Sequence, residues 1–428
     1  MLVRTIAALL ALGIALPVAA QGIPKAQSPE EVGFVATRLK RLSDRIEEGV
    51  KNNELPGAVV LIARNGKIAM FDAYGYRDKE TKAPMKTDTI FRIASMSKPF
   101  TSVAAMILVE EGKLSLADPV SKYIPAFADT KVSTQKKNPD GTVELGLEPQ
   151  FRPMTVQDLM RHTSGLTYGA ISSNPVKQSY MDMKVEDANQ TNAQMVEKLS
   201  KLALLYQPGT HWEYSMSTDV LGRVIEVASG MTLDKFIEDR ITKPLRLGDT
   251  GFEVSPDKKD RGARPQKEGP KNEAPNIPDV TLKTTWKSGG GGMVSTAADY
   301  ARFLQMFANG GQLDGARIIS RKTIDLMTAD HLPPDIIMGD DMYRFEALEP
   351  SARMGQGFGL GFAVRNEQGR NPLPGSPNDY YWGGAWGTYF WHDPREHLYV
   401  VFMTQSQTAR LPYRYLMREL VYQALIGN

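Results

Sequence analysis

The sequence predicts an α+β fold: an antiparallel sheet flanked by helices, with a mostly helical lobe inserted between the two halves of the sheet. Three observations lead there. Strand-like runs lie near both ends of the chain, in GAVVLIA and IAMFDAYGY early and in GLGFAVR, DYYWGGAWGTYFWHD and HLYVVFMTQ late. Helical periodicity dominates the stretch between them. A length of 428 residues with 42% apolar content is enough for one large core or two lobes. The expected division is 1–20 as a leader, 21–119 and 286–428 as the lobe with the sheet, and 120–285 as the helical lobe.

The elements follow in order. MLVRTIAALLALGIALPVAAQG has one early arginine, an apolar run from Ile6 to Leu16, and small residues Val18 and Ala20 at −3 and −1 of a cleavage point after Ala20. That is the form of a secretory signal peptide, so an exported, periplasmic or secreted protein is expected. No later run reaches the roughly 18 apolar residues of a spanning helix. Thr37 to Val50 has a helical period. Two β-rich runs around Arg64-Asn65-Gly66-Lys67 predict a hairpin. A buried helix follows Ser95, with Pro99 near its start and Gly112 past its end.

Residues 129–150 are polar and read as an exposed loop. Thr155 caps VQDLMRH. One helix runs from about Ser217 to Ala228 and stops at Gly230; another runs from Leu233 to Lys243. Residues 255–280 read as a long loop, either a solvated connector or one wall of a cleft. Ser295-Thr296 caps AADYARFLQMFA. Residues 333–356 are irregular, and an amphipathic helix spans about Pro412 to Leu425. A cleft between lobes is the expected place for a site.

Composition excludes several chemistries. The chain has 51 basic and 49 acidic residues and a formal charge of +2, with no basic block, so no nucleic-acid partner is expected. There is no cysteine, hence no thiol nucleophile, disulfide or thiolate metal site. His392 and His397 lack the HExxH pattern, and Pro394 lies between them. No Gly-x-Ser-x-Gly occurs. Gly289 to Gly292 lacks a following Lys-Ser/Thr, so a tight backbone crossing is expected there and no phosphate cradle. Neither a metal nor a cofactor is expected.

Chemistry is carried first by Ser95-Met96-Ser97-Lys98. On a helix, a serine and a lysine three apart share one face, about 4.5 Å apart along the axis. A buried amine is then held against a hydroxyl, and desolvation favours its neutral, basic form. The pattern recurs at Ser133-Lys136 and Ser255-Lys258, but both lie in polar segments, and only Ser95 precedes a long apolar helix. The plain alternative is a helix cap followed by a surface lysine. Tyr214, after the Pro208-Gly209 loop, is a candidate phenolate base, or else a ring packed with its hydroxyl bonded. Trp382-Gly383-Gly384-Ala385 lies in a β-type run. Its glycines mark close approach of a ligand or backbone, or a bulged strand.

The order and context of these three elements resemble the serine hydrolases related to class C β-lactamases and DD-peptidases, most of all the family VIII carboxylesterases. Supporting stretches are FRIASMSKPFTSVAAMILVEEGKLSLADPVSKYIP, DLMRHTSGLTYG, YQPGTHWEYSMSTDVLGRVIE, SGGGGMVSTAADYARFLQMFANGG and YYWGGAWGTYFWHDP, from about residue 35 to 425. The resemblance implies a β-lactamase/transpeptidase-like fold, Ser95 as the acylated nucleophile, and Lys98 and Tyr214 as its catalytic partners. It implies an oxyanion hole at the Ser95 and Ala385 N–H groups. Met216 stands where the family's Tyr-x-Asn motif has asparagine, and Trp382-Gly383-Gly384 where β-lactamases have Lys-Thr-Gly. These four, Met216, Trp382, Gly383 and Gly384, are the expected substrate-binding positions. His162 is expected in a structural turn of His-Thr-Ser-Gly. Losing the lysine and gaining an indole favour small-molecule esters with apolar groups over anionic β-lactams. The alternatives are a β-lactamase or D-amino peptidase, or a penicillin-binding module that acylates without turnover.

Overall fold

The computed structural model describes residues 22–137, 143–169, 174–267 and 277–427. The expected leader, 1–20, lies outside the described residues. Gly57–Arg64 (β1) and Lys67–Asp78 (β2) form the predicted hairpin. Asn65 and Gly66 between them take φ of 52° and 73°, the left-handed pair a two-residue type I′ turn requires. The short strand Ala83–Pro84 (β3) borders β2. The chain then leaves the sheet and returns with Gln356–Phe358 (β4), Ala363–Arg365 (β5), Tyr380–Gly383 (β6), Tyr389–Asp393 (β7) and Leu398–Met403 (β8).

The eight strands run β4-β5-β6-β7-β8-β1-β2-β3, each neighbour antiparallel. The two ends of the sequence meet where β1 pairs with β8, from Val59 opposite Met403 to Arg64 opposite Leu398. Both strands are buried throughout, which is why each reads as an unbroken apolar run.

Helices cover both faces. Phe402 stacks on Tyr413 of Arg410–Tyr422 (α5), whereas the Tyr399 hydroxyl donates to Gln305 of Ala297–Ala308 (α4). Positions of opposite parity on one strand face opposite sides, so α5 and α4 sandwich the sheet. Ala36–Lys51 (α1) packs beside α5. Lys98–Glu110 (α2) is buried on every side from Lys98 to Leu108 and packs on Ser217–Ser229 (α3). Gly230, φ 72°, ends α3 as expected. Thr155 closes a capping box with Asp158, and Thr296 accepts from the Asp299 N–H.

Two expectations need correction. Residues 129–150 are not simply a loop: Val132–Lys137 pairs antiparallel with Val143–Glu148. Its polar side chains masked a ribbon whose Leu145 and Leu147 are exposed. Ser133 and Lys136 of the second Ser-x-x-Lys copy therefore lie on a strand; in the third, Ser255 precedes and Lys258 lies within the 3-10 turn Pro256–Arg261. Within 333–356, Ile337–Met338 forms a short parallel bridge with His211–Trp212, and Met342–Leu348 is a kinked 3-10 segment.

Candidate active site

Ser95 does not sit in the first turn of an α-helix. It lies in a 3-10 turn, Ala94–Ser97, and α2 begins at Lys98. In a 3-10 turn residues three apart eclipse each other. The Lys98 Nζ accordingly lies beneath Ser95, 3.4 Å from its Oγ. Ala94, immediately before the serine, holds φ at +46°, a left-handed conformation that a side chain disfavours. Neighbours hold the turn. The Tyr300 hydroxyl donates to the Met96 carbonyl at 3.1 Å, and the Met293 N–H donates to Ser97 Oγ at 3.1 Å.

Lys98 is 0% exposed. Its amine also donates to the Tyr168 hydroxyl at 3.2 Å and to the Gly290 carbonyl at 2.8 Å. Gly290 sits in the 289–292 run, which is the tight crossing expected: a Cβ at Gly289 would lie 2.7 Å from the Thr218 carbonyl. Asp219, buried in α3, accepts from Ser288 Oγ at 2.5 Å and from the Gly290 N–H at 3.1 Å. Burial raises the Asp219 carboxyl above its ordinary value, against the pull of the Lys98 charge. Burial, followed by the Asp219 and Tyr214 charges, pushes the Tyr168 phenol well up.

Tyr214 is set by the turn before it. Gly209, φ 87°, donates its N–H to the Thr163 carbonyl at 2.7 Å, and the Glu213 N–H donates to the His162 carbonyl at 3.0 Å. His162 is fully buried, packs its ring 4.8 Å from that of Tyr214, and is kept neutral by burial and then by the Lys98 charge. It is part of the turn, as expected. The face of Tyr214 lies over Lys98, 4.6 Å from Nζ to ring centroid, and its oxygen accepts from the Trp382 Nε1–H at 3.2 Å. Lys98 thus hydrogen-bonds Tyr168 and meets Tyr214 through its ring.

Met216 is a correction. It is 0% exposed, belongs to the hydrophobic core, and is absent from the cavity wall. The chain enters α3 at this point, which turns position 216 inward. The glycines after Trp382 pack closely against protein as well as lining the cavity. A Cβ on Gly384 would lie 2.5 Å from the Ile93 carbonyl, and one on Gly383 would lie 2.5 Å from the Arg414 guanidinium carbon. Their missing side chains make room for Arg414 and Ile93. Arg414 in turn donates to the Gly384 carbonyl at 2.5 Å, and Thr388 Oγ1 donates to the Ile93 carbonyl at 3.2 Å. These bonds tie the turn after β6 to the residue two before Ser95. Ala385 is left exposed at its tip.

Ser95, Tyr214, Trp382, Gly383, Gly384 and Ala385 all line one cavity of about 560 Å³. Its walls are largely apolar, with Trp286, Met342, Phe345, Leu348, Trp386 and Leu411. Both irregular segments contribute: Pro278 from 255–280, and Met342, Phe345 and Leu348 from 333–356. A serine hydroxyl bonded to a buried amine, beside a phenol and a backbone turn, is suited to attack on a carbonyl carbon. Sequence reasoning missed Tyr168, Asp219 and Glu186. Tyr168 closes the His162-Thr163-Ser164-Gly165 stretch and Asp219 follows Tyr214 by five residues, so proximity to those motifs was the available signal. Glu186 carries no such mark.

A family model described as Beta-lactamase matches residues 42–422. Esterase EstB of Burkholderia gladioli is 28% identical over 418 residues, covering 90% of this chain and 96% of EstB. The uncharacterised protein MT1414 of Mycobacterium tuberculosis is 34% identical over 359 residues, covering 82% of this chain and 86% of that protein. Among solved structures, EstCE1, described as a hydrolase with promiscuous acyltransferase activity, superposes with a TM-score of 0.75 at 28% identity, covering 90% of this chain and 99% of EstCE1. A class C β-lactamase superposes with a TM-score of 0.68 at 19% identity over 92% of this chain and 98% of its own.

Proposed function

The chain belongs to the β-lactamase family of hydrolases, and from that premise we propose that it cleaves carboxylic esters through an acyl-enzyme on Ser95. The observation that carries the proposal is the Trp382 indole. It bonds the Tyr214 oxygen and presents an apolar wall, and by motif order it stands where β-lactamases of this family would carry a lysine. An ester with apolar groups gains from burial there, whereas a β-lactam carboxylate finds no lysine at this position. The esterase relative EstB supports the same reading. We further propose that the chain is exported after cleavage behind Ala20, on the form of residues 1–20.

In the proposed reaction Ser95 Oγ attacks the ester carbonyl while its proton passes to Tyr214, with Lys98 beneath both groups. The Ser95 and Ala385 N–H groups receive the oxyanion. The tetrahedral adduct collapses, and the alcohol leaves with the proton. Water then attacks the acyl-enzyme by the same route, releasing the acid and restoring Ser95.

A fluorophosphonate probe tests the assignment: it labels Ser95 in the wild type and leaves Ser95→Ala unlabelled and inactive. Retained labelling and activity in that variant rule Ser95 out. Rates on a short-chain aryl ester and a chromogenic cephalosporin, measured side by side, separate the ester reading from a β-lactamase or D-amino peptidase. A faster cephalosporin rate reverses the preference. A stable adduct with no steady-state turnover would instead mark a penicillin-binding module.

A further inference from the structure

One wall of the cavity carries a carboxyl group that the proposed reaction leaves unused. Glu186 lines the same cavity as Ser95 and, among the described residues, makes no hydrogen bond and no ion pair. It is not the partner of Lys98, whose amine is bonded to Ser95, Tyr168 and Gly290. Nor does Arg92, on the same cavity, serve it: that guanidinium donates to the Asp279 and Leu282 carbonyls at 3.0 and 2.6 Å.

The segment bearing Glu186 is fixed to an aromatic one. The N–H groups of Thr285 and Trp286 donate to the Ala188 carbonyl at 3.0 and 3.1 Å, which ties the backbone at Trp286 to the segment just past Glu186; both side chains line the cavity. Tyr168 adds a second ring to that side. Glu186 is exposed to the cavity, where the nearby Asp219 and Lys98 charges act on its carboxyl in opposite senses. An exposed carboxylate on a cavity wall shared with two aromatic side chains, and bonded to no cation among the described residues, matches an alkylammonium group, which both a negative charge and π faces attract.

We propose that Glu186, with Trp286 and Tyr168, forms a subsite for an alkylammonium group, so that the cavity prefers esters carrying a quaternary or protonated amine. This rests on the ester reading above for its substrate, but binding alone tests it. Ser95→Ala is titrated calorimetrically with butyrylcholine and with 3,3-dimethylbutyl butanoate, in which carbon replaces the charged nitrogen.

The expected result is a Kd about tenfold lower for butyrylcholine, the scale of a partly desolvated cation–aromatic site. Adding Glu186→Gln should abolish that ratio, and Glu186→Asp should restore part of it. Equal affinities for the two ligands, or a ratio that survives Glu186→Gln, overturn the subsite. Wild-type hydrolysis of 3,3-dimethylbutyl butanoate is read separately: its absence counts against the ester reading and leaves the binding ratio to decide the subsite.

Discussion

The Nε1–H of Trp382 donates to the phenol oxygen of Tyr214 at 3.2 Å, and the two rings lie 5.2 Å apart. Trp382 is therefore more than an apolar substitute for a lysine. It holds the oxygen of the proposed base, while Lys98 contacts the ring. Trp382→Phe keeps the ring and removes the donor. Turnover of a short-chain aryl ester should fall about tenfold, the scale of one lost hydrogen bond, with KM nearly unchanged. Steady-state kinetics check this. An unchanged kcat would show that the indole N–H plays no part.

Two phenols flank Lys98, and they are bound differently. Tyr168 accepts the amine's hydrogen bond at 3.2 Å, whereas Tyr214 offers its face to the amine and its oxygen to Trp382. The proposed base is the second. Tyr214→Phe should lower turnover at least roughly a hundredfold, as loss of a general base does. Tyr168→Phe should lower it by about tenfold, since Lys98 keeps two other partners. Pre-steady-state acylation rates of both variants decide the assignment. A larger loss for Tyr168→Phe would exchange the two roles.

The parts of this molecule that depend on local pattern were legible. The Asn65-Gly66 turn, the Thr155 and Thr296 caps and the apolar α2 behind Ser95 each carry their own signal, and each element appears where that signal puts it. The β-lactamase-like fold followed from motif order. What stayed hidden depends on tertiary placement. Met216 is two residues from Tyr214, yet the entry into α3 turns it into the core. Gly383 and Gly384 suggested close approach, but the groups that approach them, Arg414 and Ile93, come from segments far away in sequence. Glu186 shares the cavity with Ser95 across 91 positions of chain, a separation no local pattern spans.

The glycine at 384 has a checkable cost of replacement. Its missing Cβ is where the Ile93 carbonyl and the Thr388 side chain pack, and Ile93 leads directly into the Ala94–Ser97 turn. Gly384→Ala should destabilise the protein by roughly 1–3 kcal/mol, as overpacking of a closed site does. It should also cut turnover, because Ala385 moves relative to Ser95. Urea denaturation and ester kinetics on the same preparation read both effects. Wild-type stability in this variant would contradict the close packing.

Asp158 links stability to pH. Its side chain is 0% exposed and accepts from Arg152 at 2.5 and 3.0 Å, Arg161 at 3.1 Å and Thr163 at 2.8 Å. Burial acts to raise its carboxyl, but the Arg152 hydrogen bond and charge, the Thr155 N–H and Thr163 outweigh it and hold it below the usual carboxylate range. A carboxyl lowered on folding contributes stability above its unfolded value, about 3.9, and that contribution disappears as pH falls through the folded value. Asp158→Ala should therefore cost about 1–3 kcal/mol at pH 7, because it leaves Arg161, largely buried, and Arg152, partly exposed, without their counter-charge. The gap to wild type should narrow below about pH 4, where the carboxyl of the unfolded chain begins to take up a proton while the folded one is still ionised, and close as pH falls through the lower folded value. Denaturant titrations of both proteins at neutral and acid pH measure the gap. Thr163 joins Asp158 to the turn at His162, on which Tyr214 is seated, so the same variant should lose activity at lower temperature than wild type. A gap that stays constant across the pH range would show that the charge on Asp158 contributes nothing to it.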